Sequence, residues 1–185
     1  MERIISDLNL LKRFCKEFCD ITEKHCKYII VSGFLAIASG RTRGTEDIDM
    51  IIERLNREQW KLLFHDLLQH NFVCMQSDSA DEVFEYLQEK LSVRFTWRDK
   101  ALPEMEVKFS KDLLDEIQLK QRIKLELTGI DVWFGNVNMN IAFKEELLKS
   151  PKDLEDALHL RIVFAETVNE EEINNFKNLI KRYRS

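Results

Sequence analysis

Glycine and proline are scarce, with five and two residues in a chain of 185. This argues against a loop-rich all-β fold and against long flexible linkers. Long apolar runs are also missing. The longest, FLAIA (34–38), spans five residues, far short of the roughly 20 needed to cross a bilayer. The N-terminal MERIISDLNLLKRFCKEF is charged throughout and has no signal-peptide core. A soluble cytoplasmic protein without a membrane partner is expected. Basic residues do not dominate: Lys+Arg total 28 against 33 Asp+Glu, a net charge of -5. A sequence-independent nucleic-acid binder, which needs a cationic face to release counterions, is disfavoured. Only local basic patches such as the C-terminal KNLIKRYRS remain. There are four cysteines, Cys15, Cys19, Cys26 and Cys74, and no CxxC hairpin to converge on zinc. They read as small buried hydrophobes, with no disulfides expected in a reducing compartment.

What is present suits one core. Hydrophobic residues make up 44% and charged residues 33%, too little bias for disorder. Ile4, Ile5, Leu8, Leu11, Phe14, Cys15 and Phe18 recur at helical spacing and predict an opening amphipathic helix. YIIVS (28–32) reads as a strand ended by Gly33, FLAIAS (34–39) as a short buried helix, and EDIDMII (46–52) as a second strand. Asn56 predicts a cap for REQWKLLFHDLLQHN, with Trp60, Leu63, Phe64, Leu67 and Leu68 on one face. FVCM (72–75) reads as a short strand and ADEVFEYLQEKL as a helix. SVRFTW (92–97) and EMEVKF (104–109) alternate like strands. KDLLDEIQLKQR is ambiguous. IKLEL, IDVWF and the stretch to Ile141 read as further strands. Helices follow: AFKEELLK, then one capped at Ser150-Pro151, then one capped at Asn169 with acidic first and basic last turns. The expected plan is α+β, a small mixed sheet flanked by helices. Residues 1–140 would form the core with its N-terminal helix, and 141–185 a helical extension packed on the same domain.

The chemistry concentrates in 28–52. Asp47 and Asp49 flank Ile48, and alternate strand residues share a face. Their carboxylates should lie about 7 Å apart at a rise of about 3.3 Å per residue. Ile48, Met50, Ile51 and Ile52 mark the strand as buried, so the two charges repel and resist desolvation. A divalent cation relieves both, and hard oxygen donors suit Mg²⁺ or Mn²⁺. Ser32-Gly33, at a strand end leading into a helix, lets backbone approach a phosphate. Together these are the parts of metal-assisted nucleotidyl transfer. Taken singly, an Asp-x-Asp is commonly a solvated strand face and a Ser-Gly a turn. Their order and spacing give them weight.

Val31-Ser32-Gly33, thirteen intervening residues (34–46), then Asp47-Ile48-Asp49-Met50 resembles the signature of the polymerase-β nucleotidyltransferase superfamily. The Arg43-Gly44-Thr45-Glu46-Asp47-Ile48-Asp49 segment is similar to stand-alone bacterial and archaeal members, including nucleotidyltransferase-like toxins of abortive-infection and toxin–antitoxin systems. A weaker likeness covers Lys144 and Lys152-Asp153-Leu154-Glu155-Asp156, similar to the lysine and Asp-x-x-Asp elements of those toxins. Ser32 stands where the first glycine of the usual pair would be. The resemblance implies a nucleotidyltransferase fold that moves NMP from an NTP to an acceptor hydroxyl on tRNA, protein or a small molecule such as an aminoglycoside. Mg²⁺ or Mn²⁺ would be the cofactor and an antitoxin protein a partner. It implies metal ligation by Asp47, Asp49 and a third carboxylate, and nucleotide contacts from Ser32, Gly33, Arg43, Thr45 and Lys144.

Two residues compete for the third carboxylate, as ligand or base. Glu106 is favoured by chain order, and Asp131 by the shorter side chain. Arg41 and Arg43 read equally as a phosphate clamp or a solvated turn. Asp153 and Asp156 read first as helix-start acids favoured by the dipole. His65, His70 and His159 read as surface or core-edge residues, and Trp60, Trp97 and Trp133 as core anchors. The rival to an enzyme is a module of the same fold that binds a nucleotide or a protein without turnover.

Overall fold

The structure is a computed structural model that describes residues 2–45 and 47–184, with the side chains of 2–7 left aside. Ile4, Ile5 (as side chains) and Glu46 therefore lie outside the described residues. A 21-residue helix, α1 (Glu2–Thr22), opens the chain. It is followed by β1 (Tyr28–Val31), α2 (Gly33–Ala38), β2 (Asp47–Ile52), α3 (Arg57–Gln69), β3 (Phe72–Cys74), α4 (Ala80–Gln88), β4 (Val93–Trp97) and β5 (Glu104–Phe109). Then come α5 (Leu113–Lys120), β6 (Ile123–Lys124), β7 (Trp133–Phe134), α6 (Val137–Phe143), α7 (Pro151–Val163) and α8 (Glu170–Arg184).

The described strands form a seven-stranded mixed sheet, ordered β3-β4-β5-β2-β1-β7-β6. β2 is central, antiparallel to β1 and parallel to β5. Alternation along it sorts the molecule into two faces. Ile48, Met50 and Ile52 join Tyr28, Ile30, Phe95, Met105 and Val107 in the main core. α1 and α3 cover this side. Phe14 of α1 meets Phe72 and Trp97 edge-on and Phe18 meets Phe72 edge-on and Phe95 at a tilt, at centroid distances of 5.0–5.6 Å. The Trp60 indole N–H donates to the Ala80 carbonyl at 2.9 Å, tying α3 to α4. On the other face Ile29, Ile51 and Leu119 make a small second cluster under α5. That helix covers only the far half of β2. The tip carrying Asp47 and Asp49 stays open.

The expected strands beyond 123 are mostly absent. β6 and β7 have two residues each, and the stretch to Ile141 lies in the helix α6, buried from Val137 to Ala142. Asn136 starts it by accepting from the Met139 N–H. A helix buried all round shows no polar stripe, so its apolar run looks like a core strand. The AFKEELLK helix is instead the end of α6 followed by a π turn over Lys144–Leu148. The ambiguous KDLLDEIQLKQR forms α5, capped by Asp112. The caps expected at Asn56, Ser150 and Asn169 all accept the backbone N–H three residues on.

Candidate active site

Four carboxylates reach one face because of register. Asp49 is paired across β2–β5 with Glu106, and Asp47 with Glu104. Paired residues on neighbouring strands point the same way. Asp49 is half-buried. Burial pushes its carboxyl above the ordinary range, with Lys108 opposing, Glu106 adding to the rise, the Ser32 hydroxyl opposing and Asp47 adding. Asp47 is exposed, and the Thr45 hydroxyl donates to its Oδ1 at 2.8 Å. Thr45 thus orients an acidic side chain. Glu106 accepts from Arg94 Nη2 at 3.2 Å and Nε at 3.4 Å, with Arg94 its cross-strand neighbour on β4.

Asp131 is not brought to this site. It precedes β7, which runs parallel to β1, and so lies toward the opposite end of the sheet from Asp49, the partner of Val31. There it pairs with Lys124 at 2.7 Å and is two-thirds exposed. A single glycine turn in the sequence carries no signal of which end of the sheet it serves.

The donor chemistry of Asp47 and Asp49 suits a hard divalent cation: two same-face carboxylates, one pressed into a desolvated environment. Among the described residues no three His, Cys, Asp or Glu side chains converge closely enough to hold an ion. Glu106 is turned to Arg94.

The Ser-Gly bend has an unexpected arrangement. Ser32 adopts φ 66° and ψ -137°, a left-handed conformation that favours glycine. Its hydroxyl lies beside the Asp49 carboxylate and lowers that group's pKa. Gly33 is not in a positive-φ conformation, yet a Cβ there would lie 1.9 Å from Arg43 Nη2. The Arg43 guanidinium is packed onto the bend. It continues to Asp156, with Nη1 3.0 Å from Oδ2. Asp156, fully buried, also accepts from Lys144 Nζ at 2.8 Å and contacts the Arg41 guanidinium. Asp156 is therefore not a helix-start acid facing solvent but the centre of a charge cluster. Ser150 performs the capping. Lys144 is only 1% exposed and also touches Asp153 at 3.3 Å. Burial lowers its basicity, with Asp153 opposing. It backs the cluster and does not open onto the cleft.

An open cleft of about 1090 Å³ adjoins this cluster. The 40–45 loop and Asp47 form one wall, Arg94 and Leu102–Glu104 another, and Leu8, Leu10 and Leu11 of α1 a third. The signal that could have revealed Asp156 is its spacing: with Ala157 and Leu160 it falls on the buried side of α7.

No protein-family model matches the chain, and no curated protein matches it. Solved structures do. The crystal structure of ANT(2'')-Ia in complex with adenylyl-2''-tobramycin is 15% identical with a TM-score of 0.55, over 97% of this chain and 99% of that one. The solution structure of the same antibiotic-resistance factor gives 12% and 0.54, over 97% and 93%. An antigenic nucleotidyltransferase-like protein from Paracoccidioides brasiliensis gives 16% and 0.53, over 98% and 89%. The chain has the nucleotidyltransferase fold.

Proposed function

We propose that the protein is a metal-dependent nucleotidyltransferase that transfers NMP from an NTP to an acceptor hydroxyl. The observation that carries this reading is the same-face register of Asp47, Asp49 and Glu106 beside the Ser32-Gly33 bend. Asp47 and Asp49 would hold Mg²⁺ or Mn²⁺, which when bound neutralises phosphate charge. The Gly33 backbone and Arg43 bind phosphate oxygens, the guanidinium offering a fork of donors. Thr45 keeps the Asp47 carboxylate oriented. Glu106 takes the proton of the acceptor hydroxyl as its oxygen attacks the α-phosphorus. The bond from that phosphorus to the bridging oxygen breaks and pyrophosphate leaves. The acceptor is a hydroxyl of an RNA, a protein or a small molecule, and the likeness of the 43–49 segment to toxin-type members supports a toxin setting.

The test is direct. Mg²⁺ with NTP should raise the melting temperature, and labelled NTP should pass label to a component of cell extract. The Asp47→Asn/Asp49→Asn variant should lose the thermal shift and at least ~100-fold of transfer, the scale of losing a charged group that acts on the transition state. A second reading, a nucleotide-binding module without turnover, is favoured by the Arg94–Glu106 pair and by Arg43 lying on the bend. Binding without transfer of label would select it.

A further inference from the structure

The backbone places its demand for glycine at position 32, yet the glycine is at 33. Ser32 has the positive φ, and Gly33 does not. Backbone freedom therefore does not explain the absence of a side chain at 33. Contact does. A Cβ at 33 would overlap Arg43 Nη2 at 1.9 Å and crowd Cζ at 2.9 Å, so any larger residue would displace the guanidinium. Gly33 is the seat that admits Arg43.

The same guanidinium is held from behind. Its Nη1 donates to Asp156 at 3.0 Å, while its Nε is buried without a hydrogen-bond partner. Asp156 is 0% exposed and gathers Arg43, Arg41 and Lys144, three cations from two distant stretches of chain. Asp153 and Glu155 supply the remaining negative charge to Lys144 and Arg41. Arg43 itself receives one contact from this set. Its one hydrogen bond runs through Nη1, which leaves Nη2, the nitrogen nearest the bend, directed where phosphate would lie, an arrangement that an anionic ligand completes.

We propose that Asp156 is the positioning residue of the nucleotide site, holding Arg43 on Gly33 so that the guanidinium presents Nη2 to the triphosphate. Asp156 touches no substrate. It acts through Arg43, and Lys144 and Arg41 offset its charge in the buried cluster. This inference rests on the nucleotidyltransferase reading above.

The experiment measures dissociation constants for each of the four ribonucleoside triphosphates with Mg²⁺, then steady-state transfer with the tightest. The variants are Gly33→Ala, Arg43→Ala, Asp156→Asn and the Arg43→Ala/Asp156→Asn double. Each single change should weaken nucleotide binding at least about tenfold, raising KM while kcat at saturation moves less than about threefold. The double should bind no more weakly than Arg43→Ala alone, because one arginine carries both effects. A merely structural Asp156 would lower the melting temperature and leave nucleotide affinity intact. If Asp156→Asn does not fold, Gly33→Ala, which alters no buried charge, decides. A wild type that binds nucleotide while Gly33→Ala binds within twofold of it, or a double in which the losses multiply, overturns the proposal alone. A wild type that binds no nucleotide and transfers none overturns this proposal and the functional reading together.

Discussion

Ser32 shows how one side chain can serve chemistry against its own backbone. A non-glycine residue in a sparsely populated conformation costs about 1–3 kcal/mol, and here the hydroxyl lies beside the Asp49 carboxylate, whose pKa it lowers. Ser32→Ala keeps the strain, whereas Ser32→Gly relieves it. Denaturant unfolding should find Ser32→Gly more stable than Ser32→Ala by about 1 kcal/mol. Asp49 gives a second, pH-dependent expectation. Its carboxyl is raised above 3.8 by burial, so the folded protein holds that proton more tightly than the unfolded chain. Ionisation then subtracts from stability, starting near the unfolded value and complete above the raised folded one. Asp49→Asn should melt higher than the parent at pH 7, and the gap should close near about pH 4, where the unfolded-state carboxyl is also protonated. The pairing of Asp47 with Asp49 was legible because a strand's period of two is a local property. Which distant acid joins them is not local. The even alternation of Glu104, Glu106 and Lys108 in EMEVKF placed Glu106 on a polar face, but only the parallel β2–β5 register sets it opposite Asp49. Asp156 was legible only in part: its spacing with Ala157 and Leu160 puts it on the buried side of α7, but the three cations it meets there come from distant stretches of chain.

At the level of elements, the amphipathic pieces could be read and the buried ones could not. α1 and α3 show a stripe because one side of each meets solvent. The alternating β4 and β5 show theirs because one side carries charge. α6 has six consecutive buried residues, Val137–Ala142, and no contrast from which to infer a period. Its one local signature is Asn136, whose side chain accepts from Met139 N–H at 3.2 Å and donates to Glu172 at 3.3 Å. Asn136→Ala removes both and should destabilise the protein by about 1–2 kcal/mol, measured as a shift in the denaturant midpoint. Asn136→Asp should recover most of the loss if capping is the larger part. The two-residue strands β6 and β7 were overestimated because IDVWF and IKLEL have strand composition, while the Thr128-Gly129 turn between them closes a 3-10 turn with Gly129 at φ 65°. Only the tips of those segments remain within pairing reach.

Across the whole molecule, the acids and the cations of the site have different supports. Asp47, Asp49 and Glu106 ride on β2 and β5, neighbours near the middle of the sheet and tied residue by residue from Asp47↔Glu104 to Ile52↔Phe109. Arg41 and Arg43 ride on a connecting loop fastened chiefly to α7 through Asp156. Amide hydrogen exchange should therefore be slow over 48–52 and 105–108, limited by global unfolding, and faster over 41–45. Equal protection of both stretches would count against this division. The division also sets which half can yield. Under the proposed function, a triphosphate arriving at the bend would meet an acidic anvil built on the sheet on one side and a loop-borne jaw on the other. Admission and release of that ligand would then fall to the loop and its helix, and mutations that change the pace of those steps should gather in that jaw, leaving the acidic anvil untouched.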